Sequence, residues 1–177
     1  KEYILEREKD IILKKIVGAV VLTFTLPIVA FVIFIYYVLY TWEMENQGEF
    51  RDYDKGVTIE VNNLSNQDLS NLIFSYSATY GGFEEVGTIK SLKAGESAQI
   101  TGSSKEIKSS DTSLYLHYYI DNGGKAEESL AYYNTREPSK AVVVLTIHEV
   151  EPIGFLKFEF SGYDGWSRYG PIKVNYE

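Results

Sequence analysis

The feature that most constrains this chain is a run of 27 residues without a charged side chain, from position 16 to position 42. A helix needs about 20 apolar residues to cross the hydrocarbon core of a bilayer, so this run is long enough to span one. Aromatic side chains with a polar edge prefer the membrane–water interface. Four of them lie at the C-terminal end of the run: Tyr36, Tyr37, Tyr40 and Trp42. The run predicts a transmembrane helix over residues 16–42, which makes the lipid bilayer the first partner.

A cleaved signal peptide is the main alternative for such a run. The apolar region of a signal peptide is about 7 to 15 residues long and ends at small residues. Here the run is far longer and ends in the bulky sequence YYVLYTW. Pro27 lies inside it, where membrane helices tolerate proline better than soluble helices do. These observations favour a membrane anchor that is retained.

The distribution of basic residues predicts the orientation of the anchor. Five of them precede the run, and Lys14 and Lys15 directly adjoin it. In the 20 residues after the run, the only basic residues are Arg51 and Lys55. Because loops rich in lysine and arginine stay on the cytoplasmic side, residues 1–15 are predicted to be cytoplasmic and the rest of the chain to lie outside. The predicted location is the cell membrane, crossed once.

The composition after the anchor limits the partners of the outer part. Beyond position 42 there are 21 acidic and 12 basic residues, a net charge of −9. Such a charge argues against binding to nucleic acid, whose phosphates repel an acidic surface. The chain has no cysteine, which is more typical of a bacterial envelope protein than of a disulfide-rich secreted domain.

A polar linker over residues 43–56 and one domain over residues 57–177 follow the anchor. Apolar residues in the domain recur with the period of two that is typical of strands, and Asn-Gly and Gly-Gly turn signals separate the runs. The pattern predicts an all-β fold, an antiparallel two-sheet sandwich of the Ig-like kind. The expected strands lie near residues 57–62, 69–78, 84–90, 97–101, 112–120, 126–133, 141–150, 155–161 and 172–176.

The stretch VTIEVNNLSNQDLSNLIFSYSATYGGFEEVGTIKSLKAGESAQI, residues 57–100, resembles the opening of many bacterial extracytoplasmic β-sandwich modules. In those modules a first strand ends in polar, Asn-rich residues, and a later strand is entered through L-x-x-G-E-S. The chain is similar to small single-pass, membrane-anchored β-sandwich proteins of Gram-positive bacteria, although the likeness names no particular family. It implies a fold and a location, and no functional residue follows from it.

The residues that usually carry chemistry form no recognisable motif. The two histidines, His117 and His148, lie in predicted strands without metal-ligand spacing, and there is no cysteine to complete a zinc site. No serine lies in a G-x-S-x-G or S-x-x-K nucleophile motif. The sequence therefore predicts no catalytic residue, no metal site, no cofactor and no enzymatic activity.

Aromatic side chains are the remaining candidates for a binding surface. Tyrosine, tryptophan and arginine dominate binding hot spots because they offer large contact areas at low entropic cost. One group projects from a single strand: Tyr115, His117 and Tyr119. By the same alternation Tyr133 is expected to join this stripe across the hairpin at 121–124. The other group lies in a predicted Gly-rich loop over residues 162–171: Tyr163, Trp166, Arg168 and Tyr169.

Three functions fit these features. The first is a tethered module that binds a protein outside the cytoplasm, as an immunity or inhibitor protein does. The second is an accessory or structural subunit of a membrane or cell-envelope complex, with the helix packed against others. The third is a carbohydrate-binding module, in which Trp166 and Tyr169 would stack on sugar rings. The acidic charge and the aromatic residues favour the first.

The predicted orientation can be tested with reporter fusions. A reporter that is active only outside the cytoplasm should work when fused after Glu177, because the lysines before the anchor hold the N-terminus inside. Reporter activity in intact cells is the measurement, with the fusion before Lys1 as the control. Activity of that second fusion instead would contradict the predicted orientation.

Overall fold

The computed structural model describes residues 2–78, 83–108, 111–121 and 123–175. It contains one long helix, two short 3-10 helices and nine strands among these residues. The helix α1 is Glu2–Gln47, and the 3-10 helices are Gly48–Asp52 and Ser104–Glu106. The strands are β1 (Gly56–Asn63), β2 (Leu69–Ala78), β3 (Phe83–Leu92), β4 (Ser97–Gly102), β5 (Thr112–Tyr119), β6 (Lys125–Tyr133), β7 (Lys140–Val150), β8 (Leu156–Tyr163) and β9 (Arg168–Val174).

The helix α1 is long and apolar enough to cross a membrane. Two of its threonine hydroxyls donate to carbonyls of the helix itself: Thr25 to Val21 at 2.8 Å and Thr41 to Tyr37 at 3.0 Å. The helix extends beyond the predicted anchor in both directions. It ends where Gly48 adopts a positive φ of 50°, the left-handed conformation that terminates many helices.

The structure divides into two compact units, residues 1–45 and 46–177. The second unit confirms the predicted all-β sandwich. Its first sheet has the strand order β4-β1-β7-β8-β9, and its second sheet has the order β3-β2-β5-β6. Their inner faces form one core, because apolar residues at every second position of the strands point between the sheets. The largest fully buried core residues include Phe74, Tyr118, Tyr133, Leu145 and Phe158.

One strand pairing differs from the predicted antiparallel arrangement. Strand β1 pairs with β7 in parallel, from Gly56 opposite Lys140 to Asn63 opposite Ile147. The other strand pairs of the described residues are antiparallel. A period of two specifies which face a side chain takes but not the direction of the neighbouring strand, so the sequence pattern could not reveal this pairing.

The predicted polar linker over residues 43–56 is largely folded. Residues 46–52, here called the entry segment, lie against the outer face of the first sheet. Phe50 is only 2% exposed and packs with Val142 and Tyr163. The buried ammonium of Lys140 donates hydrogen bonds to the side-chain oxygen of Gln47 at 3.1 Å, to the carbonyl of Phe50 at 3.3 Å and to the carbonyl of Arg51. A buried charge needs such acceptors, so these hydrogen bonds stabilise both the buried ammonium of Lys140 and the position of the entry segment.

The predicted loop over residues 162–171 is mostly strand. Strand β8 continues to Tyr163 and β9 begins at Arg168, which leaves a turn of four residues. The Asp164 carboxylate accepts hydrogen bonds from the backbone of Trp166 at 2.8 Å and of Ser167 at 2.7 Å, which fixes this turn. The predicted turn around residues 79–82 lies outside the described residues.

The entry segment should contribute to the stability of the sandwich. Replacing Phe50 with alanine removes a buried ring, so we expect the free energy of unfolding to fall by about 3 kcal/mol or more. Equilibrium urea unfolding of the detergent-solubilised chain, followed by the β-sheet circular dichroism signal, measures this change. The control is Glu49→Ala at an exposed neighbour, which should change stability by less than about 0.5 kcal/mol. Equal stability of the two variants would mean that residues 46–52 are a free linker.

Candidate functional site

Among the described residues, the outer face of the second sheet carries a group of aromatic side chains, three of which are exposed. This surface, here called the aromatic face, consists of Phe83, Tyr115, His117, Tyr119 and Tyr132. Alternation along β5 turns Tyr115, His117 and Tyr119 to the same side. Tyr132 of β6 lies opposite Ser113 of β5 and so belongs to the same face. Phe83, Tyr119 and Tyr132 are 56%, 58% and 50% exposed.

Small residues on β2 create room for the aromatic cluster. Ser75 and Ser77 point to the aromatic face, and Phe83 lies opposite Ser77. The Phe83 ring contacts Tyr115 at a centroid distance of 5.5 Å and His117 at 4.9 Å, both edge-to-face. Such pairs are favourable beyond their buried area, so these rings are held in place by one another.

A polar network lies beneath these rings. The Ser75 hydroxyl and Nε2 of His117 share a hydrogen bond of 2.6 Å. The other ring nitrogen, Nδ1, lies 3.3 Å from a carboxylate oxygen of Glu127. Burial lowers the pKa of His117, and the nearby Lys125 ammonium lowers it further, while Glu127 opposes both. Burial and Lys125 together thus favour the neutral form of the imidazole.

The order serine, histidine, carboxylate is also that of a nucleophile activated by a base. A nucleophile must reach its substrate, and here Ser75 is 3% exposed and His117 is 2% exposed. Phe83 lies directly on the imidazole. In this arrangement the network can fix the sheet and its aromatic side chains, and it offers no open position for a substrate atom. The described residues also hold no group of three side chains that could bind a metal ion.

The structure separates the residues that were predicted to form the binding loop. Tyr163 is buried against the entry segment on the outer side of the first sheet. Tyr169 points inward and packs on Phe160 at a centroid distance of 6.4 Å, and burial raises its pKa. Trp166 and Arg168 are exposed. The four residues therefore do not share one surface, and His117 of the predicted stripe is buried as well.

Sequence reasoning missed Phe83 and Tyr132 and expected Tyr133 on the aromatic face. Tyr133 is fully buried in the core instead. The register explains the exchange, because Leu114 lies opposite Ala131 whereas Tyr115 lies opposite Ser129. Leu130, between Ser129 and Ala131, therefore has no partner on β5. Such a bulge reverses the faces of all later residues on the strand. The adjacent apolar pair Leu130-Ala131, which breaks the alternation, was the available signal.

No family model matches this chain. No curated protein matches it either. Among solved structures, the NMR structure of a protein from Eubacterium rectale aligns with 63% of this chain and 92% of that chain, at 12% sequence identity and a TM-score of 0.31. A likeness at that level supports no functional argument.

The buried histidine should make the sandwich sensitive to acid. An unfolded histidine takes up a proton as the pH falls through about 6.5, whereas folded His117 with its lowered pKa does not. The free energy of unfolding should therefore decrease as the pH falls below about 6.5, until the pH reaches the folded pKa. His117→Gln should remove this part of the pH dependence.

Urea unfolding at pH values on either side of 6.5 measures the effect. The matched control is His148→Gln, because His148 is exposed and its replacement should leave the pH dependence in place. If His117→Gln retains the full acid sensitivity of the original chain, the lowered pKa of His117 is not its source.

Proposed function

We propose that this chain is a non-enzymatic, membrane-tethered module that binds a protein outside the cytoplasm through its aromatic face. The observation that carries the proposal is the exposure of three large aromatic side chains, Phe83, Tyr119 and Tyr132, on one sheet. Single apolar residues on a surface are ordinary, but such side chains gathered on one face are typical of interaction sites.

The side chains of the aromatic face are preorganised. Its rings stand on paired strands, and the hydrogen bond between Ser75 and His117 ties β2 to β5 beneath them. Phe83 is fixed against Tyr115 by the edge-to-face contact. Because association costs the freedom of side chains that become ordered, a surface that is already ordered loses less free energy on binding.

The charges around the aromatic face favour a basic partner. Glu85 and Glu127 are exposed on the flanking strands β3 and β6, and the cation Lys125 lies opposite Tyr119. The hydroxyl of Tyr132 donates a hydrogen bond of 2.6 Å to the Asp111 carboxylate. Complementary charge speeds encounter and disfavours other partners. A toxin or another basic envelope protein, met at the membrane surface, suits a module of the immunity or inhibitor type.

The aromatic face is a better binding surface than the edge strands β6 and β9. An exposed edge can accept an added strand unless a proline or an inward-pointing charge blocks it. On β6, Glu128 lies opposite the core residue Leu116, and burial raises its pKa. On β9, Pro171 lacks a backbone donor. The edge strands β6 and β9 are thus protected against strand addition.

Replacing Tyr119 with alanine should weaken partner binding without unfolding the domain. Loss of a hot-spot aromatic costs about 2 kcal/mol, or about thirtyfold in affinity. Because Tyr119 is exposed, the unfolding temperature should not change. The measurements are recovery of the partner from solubilised native membranes by the tagged full-length chain, titration of that partner, and thermal unfolding.

The matched control is Lys173→Ala, an exposed residue on β9 of the opposite sheet, which should leave binding unchanged. Full binding by Tyr119→Ala and by Phe83→Ala would exclude the aromatic face as the binding surface.

A further inference from the structure

We propose that the segment 164–168, here called the interface turn, rests in the headgroup region of the membrane that α1 spans. In this arrangement Trp166 lies among the lipid headgroups and Arg168 contacts lipid phosphate. The proposal depends on insertion of α1 and is independent of the aromatic face. It assigns the two exposed residues of the predicted binding loop to a lipid surface instead of a protein partner.

Contacts within the second unit place the interface turn beside the entry segment. Tyr163, directly before the turn, packs on Phe50. The Arg168 guanidinium lies against Gly48, so closely that a side-chain carbon on this glycine would clash with it. The turn therefore lies at the end of the sandwich where the chain arrives from the membrane anchor.

The covalent chain limits how far this end can be from the bilayer. Trp42 closes the uncharged run, and Gly48 follows six residues later. As helix, which the structure shows up to Gln47, six residues span about 9 Å, and fully extended they span at most about 22 Å. The headgroup region on each side of a bilayer is itself about 5 to 8 Å thick. Residues that touch Gly48 are thus within reach of the headgroups.

The exposed side chains of the turn suit that environment. Trp166 is 60% exposed, and tryptophan is enriched at membrane interfaces, where its ring is apolar and its N–H meets water. Arginine binds phosphate well because its guanidinium is planar and always charged. The Asp164 carboxylate is nearly buried and accepts backbone hydrogen bonds of the turn, so it is turned away from the lipid.

The surrounding charges show that attraction to anionic lipid does not drive this contact. Exposed acidic residues flank the end of α1, among them Glu43, Glu45 and Glu49. These carboxylates repel an anionic surface. The contact should therefore form on zwitterionic lipid, and raising the salt concentration should not release it.

The two tryptophans of the chain allow a direct test. In the variant Trp42→Phe, Trp166 is the only tryptophan. The full-length variant is reconstituted into phosphatidylcholine vesicles, with or without lipids brominated near the headgroup, and its fluorescence is titrated with iodide. Quenching by bromine requires contact with lipid in either leaflet, so this readout does not depend on orientation. We expect bromine to quench Trp166, and iodide to reach it severalfold less than a water-exposed tryptophan.

The matched reference carries Trp42→Phe, Trp166→Phe and Tyr119→Trp, which moves the single tryptophan to the aromatic face. That tryptophan should be open to iodide and untouched by brominated lipid. If Trp166 is as open to iodide as the reference and is not quenched by bromine, the proposal is overturned.

The variant Trp166→Phe, with Trp42 alone, reports on the anchor. If its tryptophan escapes bromine quenching, α1 does not reach the interface and the proposal fails with it. Bromine quenching of Trp166 that disappears at high salt would also overturn the proposal, because the contact is expected not to depend on charge attraction. No partner protein takes part in these measurements, so their failure leaves the proposed function of the aromatic face untouched.

Discussion

The parallel pairing of β1 with β7 is the constraint on which the arrangement of the sandwich depends. Gly56 lies opposite Lys140, so both strands begin at the same end of the first sheet. The chain that enters β1 therefore passes the start of β7, where Lys140 and Val142 hold the entry segment. Because β8 runs antiparallel to β7, it ends at the same place and delivers the interface turn there.

The second sheet lies on the other side of the sandwich core. Its inner face contributes to the shared core, and its outer face is free to carry aromatic side chains. The buried hydrogen bond between Ser75 and His117 joins β2 to β5 beneath the exposed rings of the outer face. We propose different partners for the two aromatic groups predicted from the sequence: a protein for the aromatic face and lipid for the interface turn.

The sequence pattern predicted the strands well because burial on one face of a strand leaves a period of two. All nine expected strands exist, and most boundaries agree within a residue or two. The largest difference concerns β9, which begins at Arg168 and not near residue 172. The flanking glycines suggested a loop, yet Gly162 lies inside β8. A glycine is needed there because the Val142 carbonyl and the Tyr169 hydroxyl occupy the space of a side chain.

Two features could not be obtained from local patterns. The docking of Phe50 depends on Val142 and Tyr163, which are about a hundred residues away in the chain. The only local sign was the run Ala141, Val142, Val143, which is apolar on both faces because both faces of β7 are covered. The reversal of Tyr132 and Tyr133 depends on one extra residue at Leu130. The apolar pair Leu130-Ala131 marks an irregularity there, but the pattern does not say which residue is extra.

The parallel register can be measured most directly by disulfide crosslinking, since the chain has no cysteine of its own. In the variant Asn62→Cys with Thr146→Cys, the two positions are register partners, so their Cα atoms should lie about 5 Å apart, within the range of a disulfide. In the variant Thr58→Cys with Thr146→Cys, whose side chains point to the same face, parallel strands keep the two positions about 13 Å apart, because Thr58 lies opposite Val142. We expect oxidation to crosslink the first pair, seen as faster migration on a non-reducing gel, and to leave the second pair unlinked. Crosslinking of the second pair without the first would show antiparallel strands and contradict the account.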